Sequence, residues 1–282
     1  MSHQDLIHPK VGRAGLQDRG EFLRTLAVIA GGCSFLPLVG AGCAATGRAS
    51  REAPMVSAES ITYPGHTGPM RGHLAAPAGD ERLSAVVVIH ENRGLTPHIR
   101  DVTERVAAEG FLALAPDALS PAGGTPSDAD QARAMIGQLN SDDTVRDFLA
   151  AVQYLKTHRR SSGKVGCVGF CWGGAMANQL AVHSPDLVAA VPYYGRPPAV
   201  ADVPRIRCAL LLHYAGLDER INAGIPAFEE ALKAAGVDYQ QYLYEGAQHA
   251  FNNDSNSERY HPEAARLAWQ RTIAFLRQRL RT

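Results

Sequence analysis

The sequence predicts an α/β fold, with a mostly parallel central sheet and helices on both faces. Two observations predict it. Apolar runs of strand length alternate with helix-length segments along most of the chain. One of the runs, Ala85–His90 (AVVVIH), is also β-branched and almost continuously apolar, which marks a strand covered on both faces rather than one with a wet side.

Taken in order, Met70–Pro77 (MRGHLAAP) reads as an early edge strand and Ala85–His90 (AVVVIH) as a buried one. A helix over about Thr96–Glu109 leads to the strand Phe111–Asp117. Two helical patterns follow, within Ser127–Leu139 and Asp142–His158; in the second, Val145, Phe148, Leu149, Val152 and Leu155 share one face. Lys164–Phe170 is the next strand, and the helix formers Ala175–Ala181 follow it closely. The strands Leu187–Gly195, Cys208–Gly216 and Tyr239–Gly246 come next. Between the last two, Pro226–Gly236 starts with proline and ends with glycine, as helices commonly do. A helix over Pro262–Leu280 closes the chain. In such a sheet, ligands collect beyond the carboxyl ends of the strands.

The first sixty residues have a different composition. Arg19-Gly20-Glu21-Phe22-Leu23-Arg24 precedes an uncharged apolar run from Thr25 to Cys43, the plan of an export signal. It resembles a twin-arginine leader in which Gly20 replaces the second arginine. Cys43 follows Gly40-Ala41-Gly42 and is a candidate lipid-anchored cysteine, although Gly40 stands where leucine is usual; a membrane-spanning anchor is the alternative. The expected organisation is an export leader over 1–45, a polar tether over 46–60 and one α/β domain over 61–282, placing the protein in the periplasm or on a membrane as a lipoprotein, or in the cytoplasm if the leader does not function. With 28 basic and 28 acidic residues the net charge is zero, and no basic stripe suggests a nucleic-acid partner. Cys167, Cys171 and Cys208 form no CxxC pair, so no zinc ribbon or redox motif is expected.

One cysteine sits apart from the others. Gly169-Phe170-Cys171-Trp172-Gly173 lies where a strand turns into a helix, the setting of a nucleophile elbow. The glycines remove side-chain clashes across the turn. The helix N-terminus should favour a thiolate, and the N–H of Trp172 can donate to an oxyanion. Asp218 and His249 each follow a later strand, 47 and 31 residues further on. Nucleophile, acid, histidine is the chain order of α/β-hydrolases. Asp218 would orient the imidazole, and His249 would carry the thiol proton to the leaving group. Each residue alone has a plain structural reading: a tight turn with a buried cysteine, a turn aspartate, a loop histidine.

From about Ile61 onward the chain resembles the dienelactone hydrolase family, through VVVIHENRGLTPHIRD, GFCWGG, PYYG, GLDERI and GAQHAFNN. The resemblance implies an α/β-hydrolase fold and a Cys171–His249–Asp218 triad. It also implies a glutamate, Glu91, that interacts with the resting cysteine until substrate displaces it. The N–H of Asn92 corresponds to the second oxyanion donor. Glu91 could instead be a loop carboxylate paired with Arg93 or Arg100. The dienelactone enzymes carry an arginine four residues after the histidine to grip a substrate carboxylate; here that residue is Asn253. Arg133 and Arg196 are candidates to compensate. Tyr194, Phe251 and Asn253 are expected to contact substrate; with Tyr193 and Trp172, the aromatic members would line a pocket or simply pack the core.

A small ester or lactone is therefore the expected substrate, with no cofactor and no metal. Three alternatives stand beside this reading. One is a general carboxylesterase, and another is an exported binding protein on the same fold. The third is a metallohydrolase using His90, Glu91 and His98, whose spacing does not match a zinc helix.

Overall fold

The computed structural model describes residues 10–12 and 55–281. Its strands are β1 (Lys10–Gly12), β2 (Val56–Pro64), β3 (Pro69–Pro77), β4 (Leu83–Ile89), β5 (Leu112–Pro116), β6 (Ser161–Phe170), β7 (Leu187–Tyr193), β8 (Ala209–Ala215) and β9 (Tyr239–Tyr244). The helices are α1 (Pro97–Ala108), α2 (Ala129–Gly137), α3 (Ser141–Thr157), α4 (Trp172–His183), α5 (Glu219–Asn222), α6 (Ile225–Ala234) and α7 (Pro262–Arg279). The strands form one sheet in the order β1-β9-β8-β7-β6-β4-β5-β3-β2. From β4 to β9 every neighbouring pair is parallel, while β2 and β3 extend the sheet antiparallel.

Alternation along each strand divides the core into two layers. Val87 and Ile89 of β4 pack with Val165, Phe148, Val152, Leu180 and Phe228, under α3, α4 and α6. Val86 and Val88 point the other way, to Val168, Ile99, Val102, Phe275 and Leu276, under α1 and α7. Each fully buried Val, Leu or Phe side chain contributes about 1.5–3 kcal/mol. Helix starts are capped where the sequence offers an acceptor: Asn140 Oδ1 takes the N–H groups of Asp142 and Asp143 at the head of α3.

Two expectations about the chain before residue 61 change. The tether was expected to reach Ser60, but β2 begins at Val56. This strand has little apolar periodicity, because only Tyr63 is fully turned inward; backbone pairing with β3 along its whole length holds it instead. β2, not Met70–Pro77, is therefore the edge on that side. At the opposite edge, Lys10–Gly12, inside the expected leader, pairs antiparallel with Tyr239–Gln241. An open strand edge is a ready template for such pairing. The remainder of the leader, with Cys43, lies outside the described residues. Among the described residues, no helix is long and apolar enough to cross a membrane.

Candidate active site

Phe170 ends β6 and Trp172 opens α4, so Cys171 alone makes the turn. It does so at φ 58° and ψ −112°, a conformation that costs a residue with a side chain about 1–3 kcal/mol. Its N–H donates to the Tyr193 carbonyl at 3.1 Å, and its own carbonyl accepts from Ala175 N–H at 3.1 Å. A β-carbon at position 169 would lie 2.0 Å from the Gly173 carbonyl oxygen. One at 173 would lie 2.4 Å from the carbonyl oxygens of both Ile89 and His90. Glycine at these positions lets the start of α4 press against the end of β4.

Asp218 follows β8 and caps α5, taking the Ile221 N–H at 3.4 Å on one carboxylate oxygen. Its other oxygen is hydrogen-bonded to Nδ1 of His249, in the loop after β9. The Asp218 side chain is 6% exposed and that of His249 19%, so the acid is covered and the imidazole still reaches the surface. No hydrogen bond joins Cys171 to His249 among the described residues; the recorded partner of the imidazole is Asp218.

The thiol is pushed up to about 11, by burial first and the charge of Glu91 second. The Trp172 N–H and the charge of Arg220 act against this. The helix N-terminus acts in the expected direction through the Trp172 N–H, but burial and the neighbouring carboxylate outweigh it. Burial also raises the Glu91 carboxyl, opposed by a hydrogen bond from Asn253 and the charges of Arg93 and Arg259. Arg100 plays no such part, because its guanidinium donates to Nδ1 of His73 at 3.3 Å.

Asn253, expected to contact substrate, donates from Nδ2 to Glu91 Oε2 at 2.7 Å in the resting site. Its Oδ1 accepts from the Ser255 N–H and hydroxyl at 3.0 and 2.6 Å, which fixes the orientation of the amide. Tyr194 and Phe251 depart from the expected contact role. They are 1% and 0% exposed and pack edge to face at 5.4 Å, so they offer a ligand no surface. Tyr194 stands at φ 39°, with its N–H on the His213 carbonyl at 2.7 Å and its ring 5.0 Å from that of His249. These aromatics form the floor under the histidine loop.

Open space lies on the other side. A cavity of about 380 Å³ is lined by Asn92 and Trp172, the two expected oxyanion donors, together with Arg133, Ile136 and Met176. Trp172 and Met176 also line a second cavity of about 500 Å³, which reaches Arg196 and Arg146. The two arginines weighed as compensating cations therefore border the space beside the elbow. Among the described residues Arg133 pairs there with Asp130, at 3.4 Å on an exposed surface.

His90 has a different environment from the one a metal would need. Ala118 N–H donates to its Nε2 at 3.2 Å, and its Nδ1 lies 2.6 Å from the Glu91 carbonyl oxygen. Both ring nitrogens are occupied, so it has no free donor atom. His98 pairs with Asp254 at 3.1 Å.

A buried polar chain escaped sequence reasoning. Arg271 donates to the Tyr244 hydroxyl at 3.1 Å, which leaves the Tyr244 proton for His213 Nδ1 at 2.9 Å. His213 Nε2–H then reaches Thr272 Oγ1 at 3.1 Å, and Thr272 meets the Tyr193 hydroxyl at 2.7 Å. Burial, reinforced by the Arg271 charge, holds His213 neutral. The one sequence signal was a lone histidine inside an otherwise apolar strand.

Comparison with known proteins agrees with this architecture. The model of the dienelactone hydrolase family matches residues 70–280. "Protein usf" of Aquifex pyrophilus is 34% identical over 219 residues, covering 75% of this chain and 94% of that protein. A Saccharolobus solfataricus protein named "Putative carboxymethylenebutenolidase" is 31% identical over 258 residues, covering 78% and 98%. The crystal structure of a "Putative Dienelactone Hydrolase" from Klebsiella pneumoniae superposes with a TM-score of 0.72 at 28% identity, covering 79% of this chain and 99% of that one. With a matching family model over most of its length and relatives of similar extent, this chain belongs to the dienelactone hydrolase family and has its α/β-hydrolase fold.

Proposed function

We propose that the protein hydrolyses a carboxylic ester or lactone through an acyl-cysteine intermediate on Cys171. The observation that carries this reading is the strained elbow at Cys171, at the end of β6, on the same edge of the sheet as the covered Asp218–His249 pair, which the ends of the parallel strands β8 and β9 supply. Family membership supports the reaction class.

In the resting site the thiol keeps its proton, since burial and Glu91 both disfavour a second negative charge. When substrate displaces Glu91, His249 takes the thiol proton and the sulfur attacks the carbonyl carbon. The carbonyl oxygen becomes an oxyanion, held by the N–H groups of Trp172 and Asn92. Collapse of the tetrahedral adduct breaks the ester C–O bond, and imidazolium returns its proton to the leaving alkoxide. Water then gives a proton to His249 and its oxygen to the acyl carbon. The acid departs and the sulfur is reprotonated. Asp218 stabilises the imidazolium throughout without changing its own protonation.

The cavity beside Asn92 and Trp172 admits a small substrate, and Arg133 on its wall suits one with a carboxylate. Asn253 is already bound to Glu91, which favours a second reading, a broader esterase without dienelactone preference. We further propose that the apolar run Thr25–Cys43 serves export or anchoring, and that Cys43 is the site of any lipid.

The test is Cys171→Ala, which should abolish turnover of lactones and aryl esters while leaving the fold intact. Mass spectrometry of the wild type during turnover should find the acyl group on Cys171. An adduct on Cys167 or Cys208, or full activity in Cys171→Ala, would sink the assignment.

A further inference from the structure

We infer that His90, a residue with no part in the chemical steps above, is the positioning residue of the oxyanion hole; the inference rests on the functional reading just given. Three contacts carry it. Ala118 N–H donates to His90 Nε2 at 3.2 Å, so that nitrogen is an acceptor and the ring proton sits on Nδ1. From there it is donated to the Glu91 carbonyl at 2.6 Å. The ring also stacks on the indole of Trp172, 5.2 Å between centroids and 11° between planes.

The geometry of a trans peptide does the rest. The Glu91 carbonyl and the Asn92 N–H belong to one planar unit and point in opposite directions. Fixing the carbonyl on the His90 ring therefore also fixes the Asn92 N–H, which points away from that ring, and Asn92 and Trp172 border one cavity. The same imidazole supports Trp172, whose N–H is the second donor. One fully buried ring thus holds both donors, one through its backbone carbonyl and the other by stacking. Phe148 closes the arrangement edge-on to both rings. A donor already aimed before the charge develops needs no reorganisation during the reaction, and this is the origin of its catalytic effect. The ring must stay neutral, because a second ring proton on Nε2 would face the Ala118 N–H. Burial holds it so.

The test separates oxyanion-dependent chemistry from chemistry that needs no oxyanion. His90→Phe keeps an aromatic plane against Trp172 but loses the donor to Glu91. Its kcat should fall between about tenfold and a hundredfold, short of the loss of a whole oxyanion donor, with KM changed less than about twofold. An aldehyde inhibitor that forms a tetrahedral hemithioacetal on Cys171 should weaken by a similar factor. Alkylation of Cys171 by iodoacetamide, which develops no oxyanion, should stay within about twofold of the wild type. His90→Asn, with an amide N–H near the position of Nδ1, should recover part of kcat. If alkylation and kcat fall together in both variants, His90 merely supports the fold and the inference is overturned. It is equally overturned if His90→Phe folds with wild-type kcat. Failure of the underlying reading is distinct: wild-type enzyme alkylated on Cys171 would then keep its activity.

Discussion

Glu91→Gln isolates charge from shape at the nucleophile. The substitution keeps an oxygen that can accept from Asn253 and removes the carboxylate that disfavours the thiolate. The Cys171 thiol stands at about 11 against an ordinary value of 9.0, with burial the first cause and Glu91 the second. Assigning Glu91 about one pKa unit of that rise, the thiolate fraction near pH 8 grows about tenfold on substitution. A less basic thiolate is also a weaker nucleophile, with a Brønsted slope of about 0.4–0.5, so the net alkylation rate should rise about threefold to fourfold. Iodoacetamide is suitable because it is neutral, and Cys171→Ala gives the background from Cys167 and Cys208. The sign of the pH dependence is fixed. The alkylation profile of Glu91→Gln should be displaced to lower pH. Its advantage should reverse to a deficit of about twofold to threefold once both thiols are ionised, because only the weaker nucleophilicity then remains, and should vanish at acid pH where the raised Glu91 carboxyl takes up its own proton. Superimposable profiles in the two proteins would refute the electrostatic account and leave Glu91 as a loop carboxylate.

Three further outcomes are expected. Gly173→Ala forces a β-carbon against the Ile89 and His90 carbonyls and should destabilise the protein by about 1–3 kcal/mol, read as a lower Tm in calorimetry together with reduced kcat. A chain beginning at Pro54 keeps the whole of β2 and should retain full activity, whereas one beginning at Ile61 loses five residues of that strand and should melt at lower temperature; equal melting would mean that β2 contributes nothing. Arg133→Gln should raise KM about fivefold for a carboxylate-bearing lactone, as expected for an exposed charge contact, and leave a neutral aryl ester unchanged.

Much of this molecule could be read along the chain, and the failures share a cause. The strands β4 to β8 are legible because burial writes long apolar runs, and the elbow because its Gly-x-Cys-x-Gly pattern spans only five residues, although Gly173 is required by the distant end of β4. β2 was illegible because its sequence, VSAESITYP, buries little and its pairing partners are backbone atoms. Asn253 and Glu91 meet across 162 residues, a contact no local pattern encodes. Tyr194 and Phe251 were ambiguous for a different reason. The same aromatic side chains suit a pocket wall or a core, and only their complete burial decides for the core. His90 was considered only as a metal ligand, since nothing in its neighbours shows that Ala118 lies against it.

The polar chain beneath β7 and β8 bears on the order in which the enzyme comes into being. Two of its members, Arg271 and Thr272, lie in α7, which follows every described strand along the chain. Tyr193, whose hydroxyl ends the chain, also supplies the carbonyl that holds the Cys171 N–H. While α7 is still missing, Tyr193 and His213 have buried groups without partners, and the apolar layer formed with Ile273, Phe275 and Leu276 is open. Domains assemble from the N-terminal side as the polypeptide emerges. A nascent chain therefore carries the Cys171 turn before α7 docks, and the strand residue whose carbonyl holds that turn gains its hydrogen bond with Thr272 only when the helix is in place.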